Sequence, residues 1–291
     1  MLLNDIEAGD IFVSATQLDA SARYPTGHGR IRHFDRMLNI KRDIETGAFG
    51  LISALVFDAS GTLHALDPQA RRIDHFGPVA MPALPSRAYG SMIALPGGEY
   101  LLGEHMIGTT PGFSGDGCAY RVDAAGEILA SYHTQTNGGV SGFLGLTHMT
   151  LGGDGRTLYH VSETGADVFA HDLVDDRRLG PIYTRTDPPG LLFGVAALPD
   201  GDLIVAVGGG VRRIDTRGRV LRDYAMPAGR GWAVVIVRDD ATSFWALDFF
   251  GGQLAVIDIA SGEARWVKSL GLEQSLAGLA EVPADWKGTP S

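Results

Sequence analysis

The sequence predicts an all-β protein, a single six-bladed β-propeller whose blades follow one another along the chain. Glycine makes up 40 of the 291 residues and charged residues only 20%, a composition that suits short strands joined by tight turns better than long solvated helices. One strand–turn–strand pattern also recurs, and its copies are about 40–50 residues apart, the usual length of a four-stranded blade.

Five copies of the pattern are directly visible. Each has an apolar strand, a turn and a second apolar strand, and the third strand that follows brings an Asp. The strand pairs are Ile52–Asp67, Met92–Glu104, Leu146–Ser162, Val195–Val207 and Ala233–Asp248. The residues that mark the third strands are Asp35, Asp74, Asp123, Asp172, Asp215 and Asp258. Their regular spacing predicts a repeated unit of four strands.

The sixth copy is divided between the two ends of the chain. Residues 276–282 read as a first strand without a second, and residues 9–15 as a second strand without a first. Pairing them closes the propeller and hides the sheet edges that an open array would expose. We therefore expect one domain over residues 1–291. The alternative is a β-sandwich or β-helix with coincidental spacing.

Charge and composition limit the partners. A net charge of −10 argues against nucleic acid or an anionic membrane surface. Asp5 and Glu7 stand where a secretion signal would be basic and then apolar, so we expect a cytoplasmic location. No stretch approaches the ~18 apolar residues of a membrane span. Cys118 is the only cysteine, which excludes an internal disulfide.

Acidic side chains recur where the second strands end. Aligning those strands puts six residues at equivalent ends of the blades, on the face where the first strands begin: Ala15, Asp67, Glu104, Ser162, Val207 and Asp248. A carboxylate in a partly dry site binds a cation or serves as acid or base. Asp67, Glu104 and Asp248 are therefore candidate catalytic residues. The alternative for each is a loop carboxylate that is solvated or caps a turn.

Two long connections and an apolar collar are expected on the same face. Residues 16–29 and 105–116 form the long connections, which on a rigid scaffold often carry binding. Their candidate wall residues are Tyr24, His28, His105, Thr109, Thr110, Phe113 and Asp116. The collar residues are Leu144, Leu192, Phe193, Trp232, Phe249 and Phe250. Acids inside an apolar collar are typical of a small-molecule pocket, although packing between blades could also use these aromatics.

Histidines supply two further candidates. His105 and His148 fall in or beside the expected pocket and are candidate catalytic groups, whereas His64, His160 and His171 lie in outer strands and are expected to pack. A zinc site with His105, His148 and a carboxylate is conceivable, but no HExxH motif or closely spaced His pair supports it. We therefore predict no cofactor, with a divalent metal at the pocket as the alternative.

The chain resembles the six-bladed propeller superfamily of NHL-repeat proteins, SMP-30/gluconolactonase-like lactonases and strictosidine synthase-like enzymes. Residues 153–164 are similar to the lactonase-type strand pair D-G-x-T-L-Y-V-S-x-T. In calcium-dependent lactonases a Glu, two Asn and an Asp hold the metal. The resemblance puts Ala277, Leu144 and Phe193 at three of those positions, and none offers the oxygen that calcium needs. Strictosidine synthase, with a catalytic Glu in an apolar pocket, is the closer analogy, and Glu104 takes that role by analogy.

Two functions follow from this reading. In the first, the chain is an enzyme whose Glu104, helped by Asp67, Asp248 or His105, moves protons in the hydrolysis, elimination or cyclisation of a small, largely apolar molecule. In the second, it is a non-catalytic NHL-like module that binds a protein or a small ligand on its loop face. The fold alone does not decide between them.

Overall fold

The structure, a computed structural model, describes residues 5–77, 84, 87–105, 117–136, 145–163, 165–188 and 190–286. These residues form 24 strands in six antiparallel sheets and no helix. The sheet topology is that of a six-bladed β-propeller, which confirms the predicted fold class. Within the described ranges there is accordingly no helix long and apolar enough to cross a membrane.

The strands follow the predicted repeat. The first sheet contains β1 (Ile11–Ser14), β2 (Gln17–Leu18), β3 (Gly27–Phe34), β4 (Ile40–Gly50) and β24 (Leu279–Glu281). The second contains β5 (Ala54–Phe57), β6 (Leu63–Asp67) and β7 (Arg72–Phe76). The third contains β8 (Tyr89–Ala94), β9 (Tyr100–Glu104), β10 (Gly117–Val122) and β11 (Ile128–Thr134).

The last three sheets each have four strands in chain order. The fourth contains β12 (His148–Leu151), β13 (Thr157–Val161), β14 (Asp167–Asp172) and β15 (Arg177–Thr184). The fifth contains β16 (Gly194–Ala197), β17 (Leu203–Ala206), β18 (Val211–Ile214) and β19 (Val220–Tyr224). The sixth contains β20 (Trp232–Val237), β21 (Ser243–Asp248), β22 (Gln253–Asp258) and β23 (Ala264–Ser269).

The blade divided between the chain ends forms as predicted. Strand β24 pairs with β1 in antiparallel register, with Ile11 opposite Glu281 and Val13 opposite Leu279. Ser14 strengthens this pairing, because its hydroxyl donates to the carbonyl of Ser275 at 2.8 Å. The same hydroxyl accepts from the backbone N–H groups at 277 and 278.

The Asp that marks each repeat has a local structural reason. Asp123 and Asp215 directly follow the third strands of their blades. In each, one carboxylate oxygen accepts the backbone N–H groups two and four residues later, at 2.8–3.0 Å. A short acidic side chain thus builds the turn into the fourth strand. Asp74 is an exception, since it lies inside β7 and contacts Arg72.

Contacts divide the chain into two compact units. Unit 1 comprises Met1–Leu102, Tyr120–Ser131 and Ser275–Ser291, and unit 2 comprises Gly103–Ala119 and Tyr132–Gln274. The core of unit 1 includes Phe12, Ile31 and Leu63. In unit 2, Trp232 and Phe244 lie in one core cluster. The single domain over residues 1–291 stays a prediction.

Candidate functional site

Asp67 and Asp248 end their second strands, as predicted, and both are fully buried. Asp67 Oδ1 accepts the backbone N–H of Ala70 at 2.8 Å. Asp248 accepts two backbone N–H groups, that of Arg230 at 2.7 Å and that of Gly251 at 2.8 Å. Burial raises the pKa of Asp67, although backbone N–H groups at 70, 51 and 69 oppose that rise. Each carboxylate therefore hydrogen-bonds both to the turn that follows its strand and to a neighbouring segment of the same unit.

The turns around these carboxylates need glycine. A Cβ on Gly50 would lie 2.1 Å from Asp67 Oδ1, and a Cβ on Gly251 would lie 2.2 Å from Asp248 Oδ2. Both distances are far below van der Waals contact, so only glycine lets the backbone approach so closely. The catalytic roles predicted for Asp67 and Asp248 stay predictions, and the structure adds a turn-capping role to each.

Unit 2 brings an imidazole, a hydroxyl and a carboxylate together. His105 directly follows β9 and forms an isolated bridge with Gly145, which holds the chain before β12 against it. His105 Nε2 lies 3.5 Å from Glu163 Oε2, and His105 Nδ1 lies 3.5 Å from Thr147 Oγ1. The backbone N–H of Glu163 donates to Thr147 Oγ1 at 2.6 Å. We refer to His105, Thr147, His148 and Glu163 as the imidazole cluster.

His148 opens β12 and pairs with Val161 of β13, which fixes its backbone beside the cluster. Burial and, to a smaller extent, the neighbouring His105 lower the pKa of His148 to about 4, while Glu163 acts in the opposite direction. A neutral imidazole at pH 7 has a free lone pair on one nitrogen. His148 is therefore neutral at pH 7 and able to accept a hydrogen bond from a bound molecule.

Glu104 lies in the same unit as the imidazole cluster. It ends β9, is 9% exposed, and its backbone carbonyl accepts the N–H of Leu146 at 2.8 Å. The chain therefore carries Glu104 and His105 as neighbours at the end of one strand. The role of Glu104 as a catalytic acid or base stays a prediction.

Two members of the cluster were not predicted from the sequence. Glu163 lies one residue beyond Ser162, and His105 one residue beyond Glu104, so the two occupy equivalent places in neighbouring blades. Thr147 precedes the first strand of its blade and faces the end of the second, because its N–H donates to the carbonyl of Val161 at 3.0 Å. Extending the strand alignment by one residue is the signal that finds Glu163.

The candidate collar residues of unit 2 differ in their surroundings. Trp232 is buried in a hydrophobic core cluster, with Phe193 packed against it, and its ring N–H donates to the carbonyl of Pro227 at 3.2 Å. Phe249 and Phe250 contact each other edge to face at 5.1 Å between ring centroids, and Phe250 is exposed. Trp232 thus belongs to the hydrophobic core, whereas Phe250 is exposed to solvent. Their binding roles stay predictions.

In unit 1 the connection over residues 16–29 is shorter than predicted. Strand β2 pairs with the start of β3, Gln17 opposite His28, which extends the β1–β3 hairpin. His28 is exposed and contacts Phe49 edge to face at 5.3 Å, and Tyr24 is half exposed beneath the Arg23 guanidinium. The collar residue Leu192 of unit 2 is buried in a core cluster. The other predicted wall and collar residues lie outside the described residues: Thr109, Thr110, Phe113, Asp116 and Leu144.

The cluster suits proton transfer. Among the described ranges, no three His, Cys, Asp or Glu side chains are arranged to hold a metal ion. A carboxylate beside an imidazole orients the ring and stabilises its protonated form. The neutral imidazole of His148 adds a hydrogen-bond acceptor. The fold and this site together define the class of protein as a six-bladed β-propeller with a candidate acid–base site.

Comparison with solved structures finds the same fold in distant proteins. A protein of unknown function from Bacteroides caccae superposes with a TM-score of 0.64 at 13% identity, covering 95% of this chain and 99% of that one. Virginiamycin B lyase from Staphylococcus aureus, as a catalytically inactive variant with quinupristin, gives 0.54 at 13% identity, covering 99% and 88%.

A streptogramin B lyase gives a TM-score of 0.59 at 15% identity, covering 94% of this chain and 92% of that one. These likenesses confirm the resemblance to the propeller superfamily at the level of the fold. Neither a comparison with protein families nor one with characterised proteins finds a match.

Proposed function

We propose that this chain is a small-molecule enzyme of the hydrolase or lyase type that acts by general acid–base catalysis at the imidazole cluster. The observation that carries the proposal is the position of His105 Nε2, 3.5 Å from Glu163 Oε2, with the imidazole buried and the carboxylate half-exposed. An imidazole held beside a carboxylate is a common arrangement for proton transfer. His105 is the principal proton carrier in this proposal, and Glu163 orients its ring.

His148 and Glu104 have separate roles in the proposed reaction. His148, with a pKa of about 4, is neutral at pH 7, so it orients the bound molecule as a hydrogen-bond acceptor. Glu104 is the second acid or base, by analogy with the catalytic Glu of strictosidine synthase-like enzymes. Positioned groups of this kind accelerate a reaction by about 10²–10⁴-fold. No metal is required, so elemental analysis with stoichiometric calcium or zinc would overturn this part of the proposal.

Two fold relatives have names that support lyase chemistry. Virginiamycin B lyase and streptogramin B lyase are both named as lyases, and one of them was crystallised with quinupristin. A lyase that breaks a bond next to a carbonyl needs a base to remove a proton, which is the service that a neutral imidazole offers. The proposed substrate is small and largely apolar, because an apolar collar that includes Phe193 and Phe250 is predicted around the acids. The net charge of −10 argues against nucleic acid as a partner.

The test measures turnover of two probes, p-nitrophenyl butyrate for hydrolysis and quinupristin for elimination, by wild type, His105→Gln and Glu163→Gln. We expect kcat/KM to fall by about 10²–10⁴-fold in His105→Gln. His133→Gln, which removes an exposed imidazole of the same unit, serves as the matched control. Wild-type activity in folded His105→Gln contradicts the proposal. Binding of either probe without turnover favours the non-catalytic alternative.

A further inference from the structure

The hydroxyl of Thr147 lies within reach of a backbone N–H group and of a histidine ring nitrogen. Its oxygen accepts the backbone N–H of Glu163 at 2.6 Å, which occupies one lone pair. A hydroxyl carries a single proton, and the ring nitrogen Nδ1 of His105 lies 3.5 Å from the oxygen. The short bond from the backbone N–H also stabilises negative charge on that oxygen. Thr147 is half-buried, so its oxygen is not sealed inside the core.

The two nitrogens of His105 face different groups. Nδ1 faces the Thr147 hydroxyl, whereas Nε2 faces the carboxylate of Glu163 at 3.5 Å. A carboxylate accepts hydrogen bonds, so it favours the proton on Nε2 and leaves Nδ1 as the acceptor. The order hydroxyl, imidazole, carboxylate is the arrangement that activates a nucleophilic oxygen. Distances of this length are common before a substrate is bound and shorten in the complex.

We propose that Thr147 is the nucleophile of a Thr147–His105–Glu163 triad that cleaves carboxylic esters or lactones through an acyl-enzyme. The inference rests on the proposed function, since it assigns a covalent route and a substrate class to the same site. Thr147 Oγ1 attacks the carbonyl carbon while its proton passes to His105 Nδ1. The C–O bond then breaks, and the leaving alkoxide takes that proton from His105.

Water completes the cycle. It attacks the acyl carbon, His105 Nδ1 accepts one of its protons, and the bond between the acyl carbon and Thr147 Oγ1 breaks. Thr147 recovers its proton from His105, and a carboxylic acid leaves. The net reaction adds one water to an ester or lactone and involves no change of oxidation state. Glu163 stays ionised throughout and stabilises the protonated imidazole.

Thr150, three residues beyond Thr147 in β12, offers a matched control. Its hydroxyl accepts the backbone N–H of Ala197 at 3.0 Å, much as that of Thr147 accepts the N–H of Glu163. In the described part of the chain this is the one hydrogen bond that the structure gives the Thr150 hydroxyl. Replacing Thr150 by Val therefore removes a comparable structural bond without removing a hydroxyl that faces an imidazole.

The experiment treats the full chain with a fluorophosphonate, which loses fluoride when an activated hydroxyl attacks phosphorus. Intact mass and peptide mapping then identify the residue that carries the adduct. We expect one adduct on Thr147 in wild type, Thr147→Ser and Thr150→Val, and none in Thr147→Val. His105→Gln is expected to label at least 10²-fold more slowly. An initial burst with p-nitrophenyl butyrate is expected wherever labelling occurs.

Several results overturn the inference. An adduct on another residue, no adduct in wild type, or full esterase activity in Thr147→Val each excludes Thr147 as the nucleophile. If His105→Gln still loses activity in that case, the acid–base function stands without the covalent route. If His105→Gln is as active as wild type, both fail together. Thr147→Ser keeps the hydroxyl, so loss of activity from misfolding of Thr147→Val is recognised.

Discussion

Replacement of His160 by Phe tests the energetics of the fourth blade. His160 lies in β13, is fully buried, and stacks on Phe169 of β14 with 5.5 Å between ring centroids. Neither of its ring nitrogens has a hydrogen-bond partner among the described residues. Burial and, to a smaller extent, the neighbouring His171 lower its pKa to about 3. The native state therefore holds a neutral imidazole in an apolar place.

The expected effect depends on pH. At pH 7, the two unsatisfied nitrogens lower the stability of wild type by about 1–3 kcal/mol each. The larger Phe ring lowers the stability of the variant by roughly 1–3 kcal/mol through overpacking. Between the unfolded pKa of about 6.5 and the folded value of about 3, only the unfolded state binds the proton. Wild type thus loses about 1.4 kcal/mol of stability per pH unit as the pH falls through this range.

Urea unfolding followed by tryptophan fluorescence at pH 6.5 and 4.5 measures the difference. As the pH is lowered from 6.5 to 4.5, the free energy of unfolding of His160→Phe relative to that of wild type should rise by roughly 2–3 kcal/mol. His28→Gln, which alters an exposed ring, should change stability by no more than about 0.5 kcal/mol at pH 6.5. A stability difference between His160→Phe and wild type that stays constant with pH would refute a neutral buried imidazole at this position.

Three further outcomes are expected. Asp248→Asn should lower the free energy of unfolding by about 1.5–3 kcal/mol, because the N–H groups of Arg230 and Gly251 bond to different carboxylate oxygens and Asn replaces one of these with an NH2 donor. Asp223→Asn, which loses an exposed pair with Arg212, should cost at most about 1 kcal/mol; urea midpoints compare the two variants. Gly251→Ala should lower the free energy of unfolding less in an Asp248→Asn background than in wild type, because both changes disturb the same carboxylate. Additive effects of the two substitutions would contradict this expectation. Glu104→Gln should lower kcat/KM by about 10²–10⁴-fold with an unchanged unfolding midpoint, and unchanged turnover removes Glu104 from catalysis.

The strands could be predicted because apolar segments and turns recur along the sequence at a nearly regular spacing. The second strands end within one residue of their predicted ends, and β24 pairs with β1 as the divided blade requires. Strand β2 was missed because two residues, Gln17 and Leu18, are too short a segment to show an alternating pattern. The residues after β7, where the repeat predicts a fourth strand for the second blade, lie mostly outside the described residues.

The candidate site was less predictable because one residue type serves two purposes at the strand ends. Asp67 and Asp248 satisfy backbone N–H groups of turns, and a sequence alone does not distinguish a turn-capping carboxylate from one that faces a ligand. Glu163 and Thr147 were missed because their meeting with His105 depends on a bridge between residues of different blades. Such a contact is set by tertiary structure rather than by local pattern.

The aligned ends of the second strands separate structural side chains from candidate reactive ones. Ser162, directly after β13, donates its hydroxyl to the carbonyl of Gly145 before β12 at 2.7 Å, and Asp248, the last residue of β21, caps the turn at 251. The residue after the aligned position lies outside the named strands in both blades of the imidazole cluster: His105 follows Glu104, and Glu163 follows Ser162. The bridge to Gly145 still fixes the backbone of His105, so the fold positions its ring. In this fold, we therefore expect reactive side chains one residue beyond the aligned positions.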